Sequence, residues 1–224
     1  MSGQVAGGML SGPDAFGPEE FAAAAGVSRE TLERFKKCLA LLEDWNSRHN
    51  LVSRTSMPDV WRRHFWDSAQ VAPLIPATAR SLVDLGSGAG FPGLILAEMC
   101  PGLHVTLIEA TAKKCRFLRA AAESLGLRSE IRHERIEDAP MRAYDVITAR
   151  ACAPLADLLA YTQRFWGPGS RAFLHKGQNL AVELTEARKS WRIESEQHAS
   201  RSDPSGIILE IRELQRVGRK PNHP

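Results

Sequence analysis

The first third of the chain carries apolar residues at helical spacing. After Ser28, a residue type that caps helices, apolar positions recur every three or four residues: Leu32, Phe35, Leu39, Leu42 and Trp45. The polar stretch NSRHN (46–50) predicts the end of this helix. The pattern therefore predicts an amphipathic helix with one apolar face.

Two shorter helices are expected before the pattern changes. Ser56 can cap a helix through PDVWRRHFW (58–66), and a third helix follows through DSAQVAPLI (67–75). We therefore expect four parts in the chain. They are a flexible lead, a small helical extension, a main domain and a basic tail, over residues 1–18, 19–76, 77–215 and 216–224.

From Ser81 onward, short apolar runs alternate with helical patterns. Strands are predicted over 81–86, 104–110, 129–135, 144–151, 171–177, 191–199 and 206–214, and helices over 92–100, 111–127, 153–166 and 179–191. The last two strands are expected to pair antiparallel across their short connection. Such alternation is typical of an α/β fold with a largely parallel sheet and helices on both faces. Ligands of these sheets bind beyond the carboxyl ends of the strands.

The stretch DLGSGAGFPG (84–93) joins the first strand to a helix, and its alternate glycines allow a tight turn that leaves room for a ligand: Gly86, Gly88 and Gly90. Asp84 and Glu109 end the first two strands, and RIED (135–138) follows the third. A dinucleotide loop would have the spacing G-x-G-x-x-G. Acidic groups at these ends instead suit the ammonium and sulfonium of S-adenosylmethionine.

Each residue also has a plain structural explanation. Asp84 could merely cap the turn, and Glu109 could be a solvated strand end. The whole set, placed in this alternating pattern, favours the cofactor interpretation.

Composition adds few constraints. The 224 residues are 43% hydrophobic and 25% charged, with a net charge of +3, which permits a nucleic-acid partner without requiring one. The four cysteines lie apart, so no zinc motif is predicted and they are expected to be structural. With neither a secretory signal nor a long apolar run, the expected location is the cytoplasm, with no membrane partner.

Six motifs together resemble one family. NLVS (50–53), RHFWDS (63–68), LVDLGSGAGFPG (82–93), TLIEATAKKCRFLR (106–119), ITARA (147–151) and HKG (175–177) are similar, in this order, to the glucose-inhibited division protein B family. These are bacterial enzymes that methylate N7 of a guanine in the RNA of the small ribosomal subunit. The resemblance runs from about Leu39 to Leu214. It implies a Rossmann-like class I methyltransferase fold and S-adenosylmethionine as cofactor.

The resemblance implies cofactor-binding positions one by one. Gly86 matches the first loop glycine, with Phe91 beside it where the family often has leucine. Glu109, Ala110 and Thr111 match the segment that binds ribose and adenosine. Ile136 and Glu137 match the pair that flanks the adenine, and Arg150 matches an arginine near both cofactor and substrate. Asp84 and Gly88 complete the cofactor set.

The reaction implied by the resemblance does not need a general base, because guanine N7 has a lone pair and no proton. We therefore assign Arg150, the one catalytic candidate, to a phosphate, the O6 edge of guanine or the cofactor carboxylate, and not to proton transfer. No metal is expected, because the candidate ligands are too few.

Basic side chains are the candidates for holding RNA phosphates. They form three groups: Arg62, Arg63 and His64; Lys113, Lys114, Arg116 and Arg119; and Lys176. His64, Lys113, Arg116 and Lys176 are the substrate-binding predictions. A solvated helix face explains the residues of the first two groups equally well when each is taken singly, whereas Lys176, at a strand end beside Gly177, is better placed for function. His64 and Asp67 could share a helix face and form a hydrogen-bonded pair, or Asp67 or Ser68 could cap the next helix.

Three other classes remain open. A methyltransferase of another RNA, a protein or a small molecule would share the cofactor motifs. A non-catalytic RNA-binding module would be favoured by an eroded glycine loop, which is not seen. A nicotinamide-dependent oxidoreductase would need the other loop spacing. The substrate expected from the resemblance is small-subunit ribosomal RNA or the subunit itself, and the protein is expected to be a monomer.

Overall fold

The computed structural model describes residues 16–150 and 153–217. Seven α-helices occur in these ranges: Pro18–Ala25 (α1), Arg29–Arg48 (α2), Asp67–Ala69 (α3), Gly93–Met99 (α4), Ala112–Ser124 (α5), Leu155–Gln163 (α6) and Leu180–Ala187 (α7). Seven strands form one sheet: Ser81–Leu85 (β1), His104–Glu109 (β2), Glu130–His133 (β3), Val146–Ala149 (β4), Arg171–Lys176 (β5), Trp191–Ala199 (β6) and Ile207–Arg216 (β7). Most of the predicted flexible lead and basic tail lies outside the described residues.

The helical extension begins earlier and is less regular than its pattern predicts. The helix α1 starts at Pro18 after Gly17, and Ser28 caps α2 by accepting a hydrogen bond from the Thr31 N–H. The expected helix 58–66 is instead a 3₁₀ turn, Met57–Asp59, followed by a π-helical segment, Trp61–Trp66, that runs directly into α3. A π-helical segment is uncommon and frequently lies at a functional site.

The sheet has the strand order β3-β2-β1-β4-β5-β7-β6. The first five strands along this order are parallel, whereas β7 pairs antiparallel with both β5 and β6. This confirms the predicted α/β class and the antiparallel last pair. The carboxyl ends of β1, β2, β4 and β5 meet at one edge, where the predicted site residues lie.

Helices cover both faces of the sheet. On one face, α4, α5 and the extension share a core in which Phe21 and Phe35 belong to the same cluster as Leu82 and Leu107. On the other face, α6 and α7 pack over a second cluster that contains Val83. The extension is therefore part of the main core. Burial of its aromatic side chains there stabilises the fold by roughly 1.5–3 kcal/mol per large residue.

Candidate active site

The glycine loop after β1 turns through three left-handed residues, Gly86, Gly88 and Gly90, with φ of 67°, 57° and 87°. Residues other than glycine rarely adopt this backbone conformation. A Cβ atom built on Gly86 would meet nothing within 4 Å, so the loop faces open space at that point. The loop thus offers bare backbone to a ligand.

Two glycines of this loop are required for packing. A Cβ atom on Gly90 would lie 2.4 Å from Leu94 Cδ1, and one on Gly93 would lie 2.2 Å from Leu107 Cδ2 and 2.8 Å from Asp84 Oδ2. The helix α4 therefore sits directly against β1 and β2.

We expect Gly93→Ala to lower the free energy of unfolding by about 2–3 kcal/mol, because neither the Leu107 methyl nor the buried Asp84 can move away without strain. Urea denaturation would measure the change. Gly102→Ala is the matched control, since a Cβ atom there meets nothing within 4 Å. Equal stability of the two variants would contradict this account of the α4 packing.

Asp84 is a buried carboxyl at the end of β1. It is 1% exposed, and its Oδ1 accepts a hydrogen bond of 2.8 Å from the Thr148 hydroxyl. Burial raises the pKa of Asp84, against smaller lowering effects of the Thr148 and Ser87 hydroxyls and the Gly93 N–H. Although the Gly93 N–H lies close, Oδ2 lacks a partner of good hydrogen-bond geometry in the described part of the chain. A buried acceptor without a donor suits a cationic ligand group.

Glu109 links the second strand to the glycine loop. The residue is only 6% exposed. Its carboxylate accepts hydrogen bonds from the Gly88 N–H at 2.9 Å and the Thr111 N–H at 2.7 Å. Each carboxylate oxygen has a second lone-pair site for a ligand hydroxyl. Ala110, beside it, is exposed, and its carbonyl accepts a hydrogen bond from His133.

The two residues predicted to flank the adenine separate in the structure. Ile136 is half-buried and packs on the core under α6, whereas Glu137 is exposed and accepts a 2.9 Å hydrogen bond from the Tyr161 hydroxyl. Its own backbone N–H and then Tyr161 lower the pKa of Glu137, so this carboxylate is ionised at neutral pH. Contact of either residue with the adenine stays a prediction.

Arg150, directly after β4, joins the glycine loop to the extension. Its guanidinium lies 5.2 Å from the centre of the Phe91 ring and donates to the Arg63 carbonyl at 3.0 Å. It also pairs with Asp67 at 3.4 Å and bonds to His64 Nδ1 at 2.8 Å. Four contacts from two segments, residues 63–67 and the glycine loop, fix a side chain that is 21% exposed. A long cationic side chain held in this way loses little freedom when a ligand binds.

His64 is a neutral acceptor in this arrangement. Because an arginine can only donate, His64 Nδ1 must carry the lone pair, and Nε2 carries the proton toward Ser56 Oγ at 2.8 Å. Its ring also packs on Phe91, with ring centres 5.0 Å apart. Burial, followed by the charge of Arg150, lowers the pKa of His64 to about 3.

This pKa predicts a specific pH dependence of stability. The unfolded chain takes up the His64 proton near pH 6.5, whereas the folded protein does not until about pH 3. The stabilisation present above pH 6.5 is therefore lost as the pH falls through this window. We expect His64→Gln to unfold with a shallower pH dependence between about pH 7 and 5 in urea denaturation. An unchanged dependence would show that His64 titrates normally.

Asp67 is a site residue that the sequence singled out without its actual partners. The expected bond to His64 or a capping role is not what its side chain does. Asp67 Oδ1 accepts hydrogen bonds from Ser202 Oγ at 2.6 Å and Gln70 Nε2 at 3.2 Å, while Oδ2 faces Arg150. The RHFWDS motif was the available signal, but Arg150 and Ser202, two of the partners of Asp67, lie 83 and 135 residues further along the chain.

Lys176 is more enclosed than a phosphate contact requires. Its side chain is 6% exposed, and Nζ pairs with Glu183 Oε2 at 2.6 Å and donates to the Ala153 carbonyl at 3.1 Å. These bonds tie β5 to the segment before α6 and to α7. An RNA contact by Lys176 stays a prediction that would require this ion pair to open.

The basic residues at the start of α5 are differently placed. Arg116 and Arg119 are exposed, and Lys113 and Lys114 are half-buried. Over the described ranges, none of these four side chains forms an ion pair with a carboxylate, so their charge is not compensated locally. Arg62, in contrast, lies over the Phe16 ring and faces Asp59 at 3.7 Å.

A mainly parallel sheet, a glycine loop that faces open space and carboxylates at the ends of β1 and β2 define an S-adenosylmethionine-dependent methyltransferase of the Rossmann-like class. The model of the family described as GidB, rRNA small subunit methyltransferase G, matches residues 31–205. The chain belongs to this family, which confirms the resemblance seen in its motifs.

Several relatives carry the name ribosomal RNA small subunit methyltransferase G, among them the following two. The protein of Rhodospirillum rubrum is 49% identical over 201 residues, covering 89% of this chain and 99% of that protein. The protein of Paramagnetospirillum magneticum is 44% identical over 206 residues, covering 92% and 100%. The match therefore spans nearly the whole of both relatives.

Solved structures show the same fold at low sequence identity. An O-methyltransferase of Klebsiella pneumoniae, described as putative, superposes with a TM-score of 0.58 at 15% identity, covering 87% of this chain and 95% of that one. TYW2 of M. jannaschii in complex with AdoMet gives 0.51 at 13% identity, covering 67% and 77%. The predicted fold class is confirmed.

Proposed function

We propose that this protein transfers a methyl group from S-adenosylmethionine to N7 of a guanine in 16S ribosomal RNA. The observation that supports this most is the family match over residues 31–205, which includes the glycine loop, Glu109 and Arg150. Within the loop, the orphaned Asp84 Oδ2 and the open space at Gly86 fit a positively charged cofactor.

The residues at the strand ends would hold different parts of the cofactor. Asp84 and the Gly86 backbone suit its amino acid part, and the second lone pairs of Glu109 suit two ribose hydroxyls. Ala110, Thr111, Ile136 and Glu137 are proposed for the adenosine side. When bound, S-adenosylmethionine supplies an electrophilic methyl group on a cationic sulfur, which the N7 lone pair attacks without prior deprotonation.

The chain's own residues orient the reactants. With a pKa of about 3, His64 stays neutral and accepts from Arg150, so neither group exchanges a proton during turnover. Arg150 is compensated by Asp67, which limits repulsion of a base that becomes cationic on methylation. The residues thus act by positioning, which alone supplies a large share of the rate in such a reaction.

Transfer of labelled methyl groups tests this proposal. The substrate would be small ribosomal subunits from cells that lack the protein, and the RNA would then be digested to nucleosides. Label in 7-methylguanosine is expected. Label at another nucleoside would leave an RNA methyltransferase of different specificity, and label on protein or a small molecule alone would overturn the RNA substrate.

The basic start of α5 is proposed to hold RNA phosphates. We expect Lys113→Gln combined with Arg116→Gln to reduce the salt dependence of RNA binding by roughly one to two in the slope of log K against log salt. Cofactor affinity should stay unchanged. Arg192→Gln, an exposed cation on β6, is the control. A slope equal to that of the unmodified protein would remove α5 from the RNA interface.

The remaining proposals concern partners. We propose a monomer that acts in the cytoplasm and needs no metal. In the described residues, no helix has the length and apolar character of a membrane span. A possible ligand group, Glu196, His198 and Glu210, lies on β6 and β7, but Arg171 and Arg212 pair with its carboxylates. Full activity after exhaustive chelation is expected.

A further inference from the structure

A partly open cavity of about 310 Å³ lies beyond the carboxyl end of β5. The β5–α7 loop and the β6–β7 turn form two of its walls, and Asp67 forms a third. Because Asp67 also holds Arg150, the cavity shares a wall with the site at the glycine loop. Its volume suits one nucleoside and not an extended chain.

The lining of this cavity includes more acidic than basic residues. Three acidic residues line it, Asp67, Glu183 and Asp203, and its one lysine, Lys176, is already paired with Glu183. The His175 side chain, 8% exposed, donates through Nε2 to the Asp67 carbonyl, and its Nδ1 lacks a partner within the described ranges. In the neutral ring, Nδ1 is then a further unmet acceptor.

Asp203 is arranged to receive a ligand. Both the N–H and the hydroxyl of Ser205 donate to Oδ1 at 2.8 Å, which fixes the carboxylate and leaves Oδ2 as the oxygen available to a ligand. These bonds, with the charge of Arg63, lower the pKa of Asp203, so that it is ionised at neutral pH.

We propose that this cavity receives the Watson–Crick edge of the target guanine, with Asp203 accepting a hydrogen bond from the 2-amino group. This inference rests on the function proposed above. The Watson–Crick edge of guanine presents donors at N1 and N2, whereas adenine presents an acceptor at N1. A base splayed out of an RNA loop exposes this edge. Placing it in the cavity leaves N7, on the opposite side of the purine, outside the recognition contacts.

The charge of the cavity supports the same ligand. Methylation at N7 makes the base cationic, and a lining with more carboxylates than cations stabilises that charge as it develops. A phosphate group would meet repulsion from the same carboxylates, so a backbone contact in this cavity is disfavoured.

Asp203→Asn provides a sharp test, because the Ser205 N–H and hydroxyl will retain the amide oxygen at the Oδ1 position. The amide NH₂ then faces the cavity. Because it and the 2-amino group of guanine are both hydrogen-bond donors, they cannot bond to each other. Reconstituted subunits with guanine or inosine at the target position would serve as substrates, since inosine lacks only the 2-amino group. The unmodified protein should prefer guanine by about tenfold in kcat/KM, and the variant should lose this preference.

Two comparisons keep the test decisive. Glu123→Gln, an exposed carboxylate at the end of α5, should retain the preference. Asn179→Trp, at the rim of the cavity, should raise KM for the subunit at least tenfold while cofactor affinity is unchanged. The inference is overturned if Asp203→Asn keeps the preference, or if Asn179→Trp leaves KM unaltered. Failure of the unmodified protein to methylate either substrate would instead overturn the proposed function.

Discussion

Replacing Arg150 by alanine is expected to lower kcat/KM for methyl transfer by roughly a hundredfold, because the side chain that orders the site is removed. The variant leaves Asp67 Oδ2 and His64 Nδ1 without their donor, and Phe91 without the cation over its ring. Filter-binding kinetics with labelled cofactor and small subunits would measure the effect.

Arg150→Lys is the conservative comparison for this residue. An ammonium keeps the charge but cannot reach the Arg63 carbonyl, Asp67 and His64 with one planar group. We expect an intermediate loss of activity. Full turnover and full cofactor affinity in Arg150→Ala would contradict the role given to Arg150.

Glu109→Ala is expected to raise the dissociation constant for S-adenosylmethionine by about a hundredfold, since hydrogen bonds to a charged group contribute roughly 1.5–3 kcal/mol each. The loss has two parts. The carboxylate would no longer bind ribose hydroxyls, and the Gly88 and Thr111 N–H groups would lose the acceptor that shapes the loop. Isothermal titration calorimetry would give the affinity.

Glu109→Gln separates these two parts. One amide oxygen can serve only one of the two backbone donors well, so the loop is expected to loosen and affinity to fall by a smaller factor. Glu123→Gln is the matched control at an exposed site. Unchanged affinity in Glu109→Ala would remove this residue from the cofactor site.

Much of the fold was predictable from sequence because each strand and long helix carries its own signal. The apolar run of β1, the alternation in β6 and the left-handed Gly126 after α5 are local features. The position of β7 between β5 and β6 is a matter of long-range pairing, which no local pattern specifies. The π-helical turn at Trp61–Trp66 likewise has no distinct local pattern, and its Trp61 and Phe65 rings pack with their centres 4.4 Å apart.

In the candidate site, too, some residues were predictable from sequence and the long-range contacts were not. The positions of Asp84, the loop glycines and Glu109 were predictable, because all of them follow from one rule. Ligands of a parallel sheet bind beyond the carboxyl ends of its strands. The contacts that hold Arg150 could not be predicted, because His64 and Asp67 lie more than 80 residues before Arg150 in the chain. For Lys176 the sequence showed a cation at a strand end but not its partner, Glu183.

The hydrogen bond between Asp67 and Ser202 has a consequence for how the protein is made. Asp67 belongs to the first third of the chain, whereas Ser202 lies in the last hairpin, and their side chains are 2.6 Å apart. A nascent chain builds from its N-terminus, so Asp67 gains this partner only after the turn between β6 and β7 has been synthesised. The surroundings of Arg150 are therefore completed by one of the last segments of the chain to leave the ribosome.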